Sequence, residues 1–327
     1  MMKTLNKSIA LTILGLSSFM AMSQAQAAEA KSIAHQKQVA GFYQHQIGNT
    51  QITALLDGTN YLNPSMFKGI PAVEVTQILK KYHADQAKGV QTSVNAFLVN
   101  TGSSLVLVDS GASSCNGPDF GSVQKNLIAA GYKPEQVDTI LLTHLHPDHV
   151  CGISEKGTAS FPNATVYVAD TEANYWLNPK QVSKLPQEKQ ARFKQTVEKI
   201  QQAVQPYQAT KRFKTFKLGD NIKGFDVIST AGHTPGHFSF AFNSSDEKIV
   251  FVGDIVHSHS IQFDQPETAI DFDVDPKKAV QTRLAQFSRL AKNGQTVAAP
   301  HLPFPGIGHI YSKEGKSYQW IPVHFKD

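Results

Sequence analysis

Apolar positions fall into short runs along the chain, and the spacing inside each run says what it builds. Residues 96–100 and 105–109 flank Thr101-Gly102, the pattern of a hairpin. Residues 120–130 carry helical spacing, with Gly131 where a helix would end. Mostly apolar runs predict strands over 137–143, 165–169, 225–229, 238–242, 249–252 and 296–299. A long polar helix or helix pair is predicted over 186–207 and another helix over 276–290, whereas residues 29 to about 50 read as a polar lead-in. Short strands with helices at intervals indicate an α/β class. No repeat, low-complexity tract or Pro/Gly-rich linker divides residues 29–327, which are taken as one domain.

The first residues have a different pattern. Lys3 and Lys7 precede a short apolar run over 9–22, and Ala25-Gln26-Ala27 offers small residues around a cleavage point. This is the layout of an export signal over 1–28. The run is short for a bilayer span and no second one follows, so no stable membrane anchor is expected. The protein is expected to be exported, periplasmic or secreted. The net charge of +5 drops to +3 when Lys3 and Lys7 leave. The basic residues are scattered except for Lys211, Arg212, Lys214 and Lys217, which read as a solvated edge, so no nucleic-acid partner is expected. Two cysteines, Cys115 and Cys151, in an oxidising compartment are expected to form a disulfide. Two free thiols, or Cys151 as a metal ligand, are the other readings.

The chemistry concentrates in Thr143-His144-Leu145-His146-Pro147-Asp148-His149, directly after an apolar strand. Three imidazoles and a carboxylate at one strand end are costly to bury without partners, and together they suit a metal. His144 and His146 are two apart, so extended backbone turns both the same way. Asp148 and His149 lie past the bend at Pro147 and can face a second site. Three further strand ends present His233 (in Ala231-Gly232-His233-Thr234-Pro235-Gly236-His237), Asp254 (after Val252-Gly253) and His301 (after Ala299-Pro300).

The H-x-H-x-D-H run, then Gly-His, Gly-Asp and a late His, resembles the metallo-β-lactamase superfamily, and Val108-Asp109-Ser110-Gly111 resembles its first motif. The resemblance implies a four-layer αβ/βα sandwich with metals at one edge between two sheets. Gly89-Val90-Gln91-Thr92-Ser93-Val94-Asn95, Gly253 to Ile255, His301 to Gly308 and Tyr318-Gln319-Trp320-Ile321-Pro322-Val323 are similar to the methyl parathion hydrolase branch. Carried over, His144, His146 and His233 would hold one zinc, Asp148, His149 and His301 the other, and Asp254 would bridge them. Asp254 stands where β-lactamases of this fold commonly have Cys, which argues against antibiotic hydrolysis. Asp109 is expected to orient a ligand histidine, or simply to close its strand end, and His237 to sit behind the ligands.

The resemblance implies hydrolysis of small aryl esters, lactones or organophosphorus triesters by a hydroxide held between two divalent ions, with zinc the expected metal. Asp148 or Asp254 would take the proton. Trp176, Phe120, Phe272 and Phe304 are candidate pocket walls, and His257 and His259 candidates for touching substrate. Within the same fold, an acyl-homoserine-lactone lactonase or a thioester hydrolase shares the ligand order. A nuclease would need a basic groove, and a non-catalytic periplasmic zinc-binding protein would need a coordinatively closed site. Relatives of the branch suggest a homodimer.

Overall fold

The computed structural model describes residues 40–313 and 317–324. The expected export signal lies outside them. In chain order the strands are β1 (Phe42–Ile47), β2 (Thr50–Leu62), β3 (Phe67–Lys68), β4 (Val90–Asn100), β5 (Leu105–Val108), β6 (Thr139–Leu141), β7 (Ser154–Glu155), β8 (Thr158–Ala159) and β9 (Thr165–Ala169). They continue with β10 (Phe213–Phe216), β11 (Asn221–Ile222), β12 (Phe225–Ser229), β13 (Phe238–Ser244), β14 (Glu247–Phe251), β15 (Ala269–Ile270), β16 (Thr296–Ala298), β17 (Ile307–Lys313) and β18 (Ser317–Pro322). The helices are α1 (Ala72–Lys81), α2 (Val123–Ala129), α3 (Pro147–Val150), α4 (Asp170–Trp176), α5 (Gln187–Ala209), α6 (Ile261–Asp264) and α7 (Pro276–Asn293).

Among the described residues, two seven-stranded sheets form, in the orders β1-β2-β4-β5-β6-β9-β10 and β11-β12-β13-β14-β16-β17-β18. Both are mixed: β5, β6 and β9 run parallel in the first, β14 and β16 in the second, and the hairpins β4–β5 and β13–β14 are antiparallel. Side-chain alternation explains the layering. Phe97, Val99, Val106 and Val108 of the first sheet and Phe225, Phe240, Phe251 and Ile307 of the second point inward and share one buried cluster. Their strand neighbours point outward: Leu98 and Leu107 meet Phe193, Ile200, Val204 and Tyr207 of α5, while Ala241, Val250 and Val297 meet Phe287 and Leu290 of α7. Sheets covered on both faces read as near-continuous apolar runs. Each fully buried side chain of this kind contributes about 1.5–3 kcal/mol relative to exposure. The result is the αβ/βα sandwich that the resemblance implied.

Local chemistry sets the element ends. Asp275 caps α7 by accepting the Lys278 N–H at 3.0 Å, Pro276 opens the helix, and Gly294 closes it at φ 58°, so the helix runs to Asn293, three residues beyond the predicted end at 290. The helix predicted over 120–130 begins only at Val123, because buried Asp57 accepts the N–H groups of Gly121 and Val123 and holds the preceding residues in a turn. The polar lead-in carries an edge strand, β1, whose residues alternate between exposed and half-buried against β2. The hairpin β17–β18 follows the last predicted strand and completes the second sheet. Among the described residues, no helix is long and apolar enough to cross a membrane.

Candidate metal centre

Five chain segments meet at one edge of the two sheets. Strand β5 ends at Val108, and Asp109 after it takes a left-handed conformation (φ 55°) and donates its N–H to Leu141 O. Strand β6 ends at Leu141, and Thr143 O then accepts the Phe238 N–H, which ties this strand end to the second sheet. His146 remains extended (ψ 150°), and Pro147 opens the single-turn helix α3 that carries Asp148 and His149. From the second sheet, His233 follows β12, Asp254 follows β14 and His301 follows β16. Gly253 sits at φ 57° with His237 and Thr143 packed where a Cβ would lie, so only glycine lets the chain pass there.

The side chains converge on Asp254. Its Oδ2 lies 3.5 Å from His144 Nε2 and 3.1 Å from His233 Nε2, and its Oδ1 lies 3.1 Å from both His149 Nε2 and His301 Nε2. His146 Nδ1 stands 2.9 Å from His233 Nε2. Asp148 Oδ2 is 3.8 Å from His149 Nε2 and 3.5 Å from His301 Nε2. Besides a smaller group of Asp254, His257 and His301, two groups result, His144, His146, His233 and Asp254 in one and Asp148, His149 and His301 in the other, each with ligand atoms within 4.8 Å of one another. Asp254 thus presents a carboxylate oxygen to each.

Partners behind the imidazoles decide which nitrogen faces inward. His149 Nδ1 meets Asp109 Oδ2 at 2.9 Å, His233 Nδ1 meets Asp273 Oδ1 at 2.9 Å, and His301 Nδ1 donates to Ser93 O at 2.9 Å. Asp109 also accepts both the N–H and O–H of Thr143, whose hydroxyl touches His144 Nδ1 at 3.1 Å. With the outer nitrogen occupied, each Nε2 directs its lone pair into the centre. His144 Nε2, His149 Nε2 and Asp254 Oδ1 are buried without a hydrogen-bond partner. Orphaned buried lone pairs of this kind call for an ion. The imidazole and carboxylate donor set fits zinc or another first-row divalent ion.

The electrostatics split the imidazoles, and the carboxylates draw positive charge to the centre. Burial and the neighbouring imidazole of His149 push His144 well below the usual histidine range, and burial and His233 do the same to His146. Burial also pulls His149 down, but the carboxylates of Asp254, Asp109 and Asp148 more than reverse it. Likewise burial opposes and Asp254 and Asp273 overcome, so His233 rises to about 9. For Asp254 burial favours the neutral acid, yet the surrounding imidazoles hold it well below the carboxylate range.

A sequence profile of the metallo-beta-lactamase superfamily matches residues 89–300. The chain belongs to that superfamily. Among solved structures, hydrolase AbOPH of the beta lactamase superfamily is 71% identical with a TM-score of 0.88, covering 89% of this chain and 100% of that one. AidC, a dizinc quorum-quenching lactonase solved with the product N-hexanoyl-L-homoserine, is 27% identical with a TM-score of 0.81 over 88% of this chain and 99% of its own. The uncharacterized protein YobT of Bacillus subtilis (strain 168) is 29% identical over 147 residues, 45% of this chain and 56% of YobT, so the match spans little more than half of that relative. Fold, family and paired metal-binding clusters are those of a metal-dependent hydrolase of the superfamily.

The remaining predicted residues divide. A cavity of about 760 Å³ opens over His146, Asp148, Asp254 and His301, and Phe120, Trp176, His257 and Phe272 line it. Trp176 stacks on Phe193 at 4.9 Å and meets His146 edge-on at 5.4 Å. His257 is buried with its Nε2 3.2 Å from Asp254 Oδ2, closer to the metal clusters than a pocket wall would be. Phe304 and His259 do not line this cavity. The turn closed by Ala299 N–H to Gly306 O and Gly306 N–H to Pro303 O carries Phe304 to the edge of the inter-sheet core, and both residues line a separate cavity beside Tyr82 and Trp320. His237 accepts the Asp254 N–H at 2.9 Å, so it holds the Asp254 backbone. Cys115 and Cys151 form a disulfide between the turn after Asp109 and the end of α3. Sequence reasoning missed Asp273, Glu172, Asp57 and Ser93. Ser93 lies within the motif over 89–95 but acts through its backbone carbonyl, the other three carry no motif, and each acts through a fold contact that no local spacing shows.

Proposed function

We propose that the protein hydrolyses small neutral esters, lactones and phosphotriesters with two divalent ions, most simply zinc, held as the sequence reading assigns them. His144, His146 and His233 would hold one ion, Asp148, His149 and His301 the other, with Asp254 between. The observation that carries this reading is Asp254, whose two carboxylate oxygens each face one cluster, beneath an aromatic-walled cavity. When bound, such ions supply Lewis acidity: they acidify water and polarise a carbonyl or phosphoryl oxygen.

The chain's own residues supply the rest. Asp148 is one-quarter exposed at the cavity floor and faces His301, which suits it to hold the proton released in hydrolysis. Trp176, Phe120 and Phe272 offer flat apolar walls to an aryl or acyl group and keep water from its far side. His237 and Asp273 keep Asp254 and His233 in place. The likeness to AidC supports lactones as substrates, and the likeness to AbOPH supports hydrolysis by this arrangement. The leader-like start and the disulfide support export.

The test is turnover of an aryl ester, an acyl lactone and a methyl phosphotriester by zinc-loaded protein, comparing kcat/KM with and without chelator. Chelator-sensitive turnover is expected, and the ranking identifies the substrate class. Asp254→Ala and His149→Ala should each lose a metal and most activity while remaining folded. Two metals per chain with full activity in either variant would sink the assignment.

A further inference from the structure

Glu172 lies in α4, outside every motif, and its side chain is fully buried. Its carboxylate is completely satisfied. Oε1 accepts the Leu145 N–H at 2.9 Å and the indole Nε1–H of Trp176 at 2.8 Å. Oε2 accepts the Thr234 hydroxyl at 2.7 Å and the Gly236 N–H at 3.0 Å. Leu145 lies between His144 and His146, while Thr234 and Gly236 follow His233 closely. One carboxylate therefore joins the strand end of the first sheet to the loop of the second, and both to the aromatic wall. The approach is tight: a Cβ at Gly236 would lie 2.2 Å from the Glu172 backbone nitrogen, so this segment must be glycine to reach it. None of these bonds reaches the segment carrying His301, and Asp148 and His149 lie beyond the bend at Pro147, in the single-turn helix that follows Leu145.

We infer that Glu172 is the positioning residue of the His144, His146 and His233 cluster, fixing the separation of the two segments that supply it. The inference rests on the metal-centre reading above. A carboxylate is the only side-chain group of this size that accepts from four donors at once. Glu172→Gln keeps the volume but turns one oxygen into an NH2 that faces donors. The segment ends then shift, and one cluster loses its shape while the other keeps it.

The experiment measures zinc affinity by competition with a chromophoric chelator in two backgrounds. His301→Ala keeps the cluster that Glu172 holds, and His146→Ala keeps the other. In the first background, Glu172→Gln should weaken the remaining zinc about 10–100-fold, the range for partners behind a ligand. In the second, it should leave zinc affinity unchanged. Equal losses in both backgrounds would mean a merely structural role and would overturn the inference, as would no loss in the first. Should Glu172→Gln fail to fold, Thr234→Val carries the test. It keeps the carboxylate and removes one donor, and selective weakening in the first background supports the inference while its absence overturns it. A parent protein that binds no zinc would sink the metal-centre reading itself, and this inference with it.

Discussion

Reducing the Cys115–Cys151 bridge should destabilise the protein without emptying its metal centre. The two cysteines are 36 residues apart. A cross-link of that span removes unfolded-chain entropy equivalent to about 4 kcal/mol at 25 °C. The body from residue 40 onward has roughly 290 residues, and unfolding entropy near 2.1 cal/mol/K per residue gives it about 0.6 kcal/mol/K. The quotient is a fall in Tm of about 6–7 °C. The native junction has other ties. Ser110 donates both its N–H and its O–H to His149 O, at 2.9 and 2.7 Å, and Gly152 donates to Gly111 O at 3.0 Å. These hold the Asp109 turn against α3 whether or not the sulfurs are joined. The assay is calorimetry of metal-free protein, oxidised and then reduced with a phosphine, alongside zinc counting well below Tm. A Tm shift under about 2 °C would refute the entropic account. Zinc lost on reduction would show that the bridge shapes the native centre, against the reasoning from the hydrogen bonds.

Two further outcomes follow from crowding and from burial. A Cβ at Gly152 would lie 1.8 Å from Ser110 O, a backbone atom that cannot swing aside. Gly152→Ala should lower stability by at least about 1–3 kcal/mol and weaken zinc binding through His149; an unchanged denaturant midpoint would contradict this. Burial pushes the Tyr207 phenol up to about 12, where it donates to Ile153 O at 2.8 Å. With the unfolded value near 10, the folded state is favoured below that pH and the advantage is lost as pH rises through 12. Tyr207→Phe should cost roughly 1–2 kcal/mol at pH 8, with the gap to the parent closing between about pH 10 and 12. Denaturation curves at pH 8 and 11.5 with an undiminished gap would refute it.

The central strands from β4 to β16 that carry the site and the ligand-bearing turns were legible in the sequence because each rests on a short-range rule, whereas β2 and the hairpin β17–β18 were not predicted. Apolar runs over 137–143 and 249–252 announce buried strands, and a histidine or aspartate directly after such a run stands out against its surroundings. Asp109 was readable as a partner of the ligands because it, too, ends an apolar strand, and it meets His149. Glu172 and Asp273 were not readable. Each stands among other acidic residues with nothing local to single it out, and its meaning comes from chain 27 to 64 residues away in one case and 40 in the other. Phe304 was misplaced for a related reason: its neighbourhood to His301 along the chain says nothing about which side of the turn its ring takes. Strand β1 was overlooked because an edge strand with one solvated side lacks the apolar density of the central strands.

Asp109, His144, His146, Asp148 and His149 hang from one sheet, while His233, Asp254 and His301 hang from the other. The centre therefore spans the seam along which the two halves of the molecule would come apart. An apolar interior fastens that seam over a broad area, and its grip varies with temperature. Ligand atoms reaching across the rim make a second fastener, one that tightens with the concentration of free ion. Bound ions would then add to a closure that the apolar interior already secures, so that metal occupancy and the stability of the sandwich rise together.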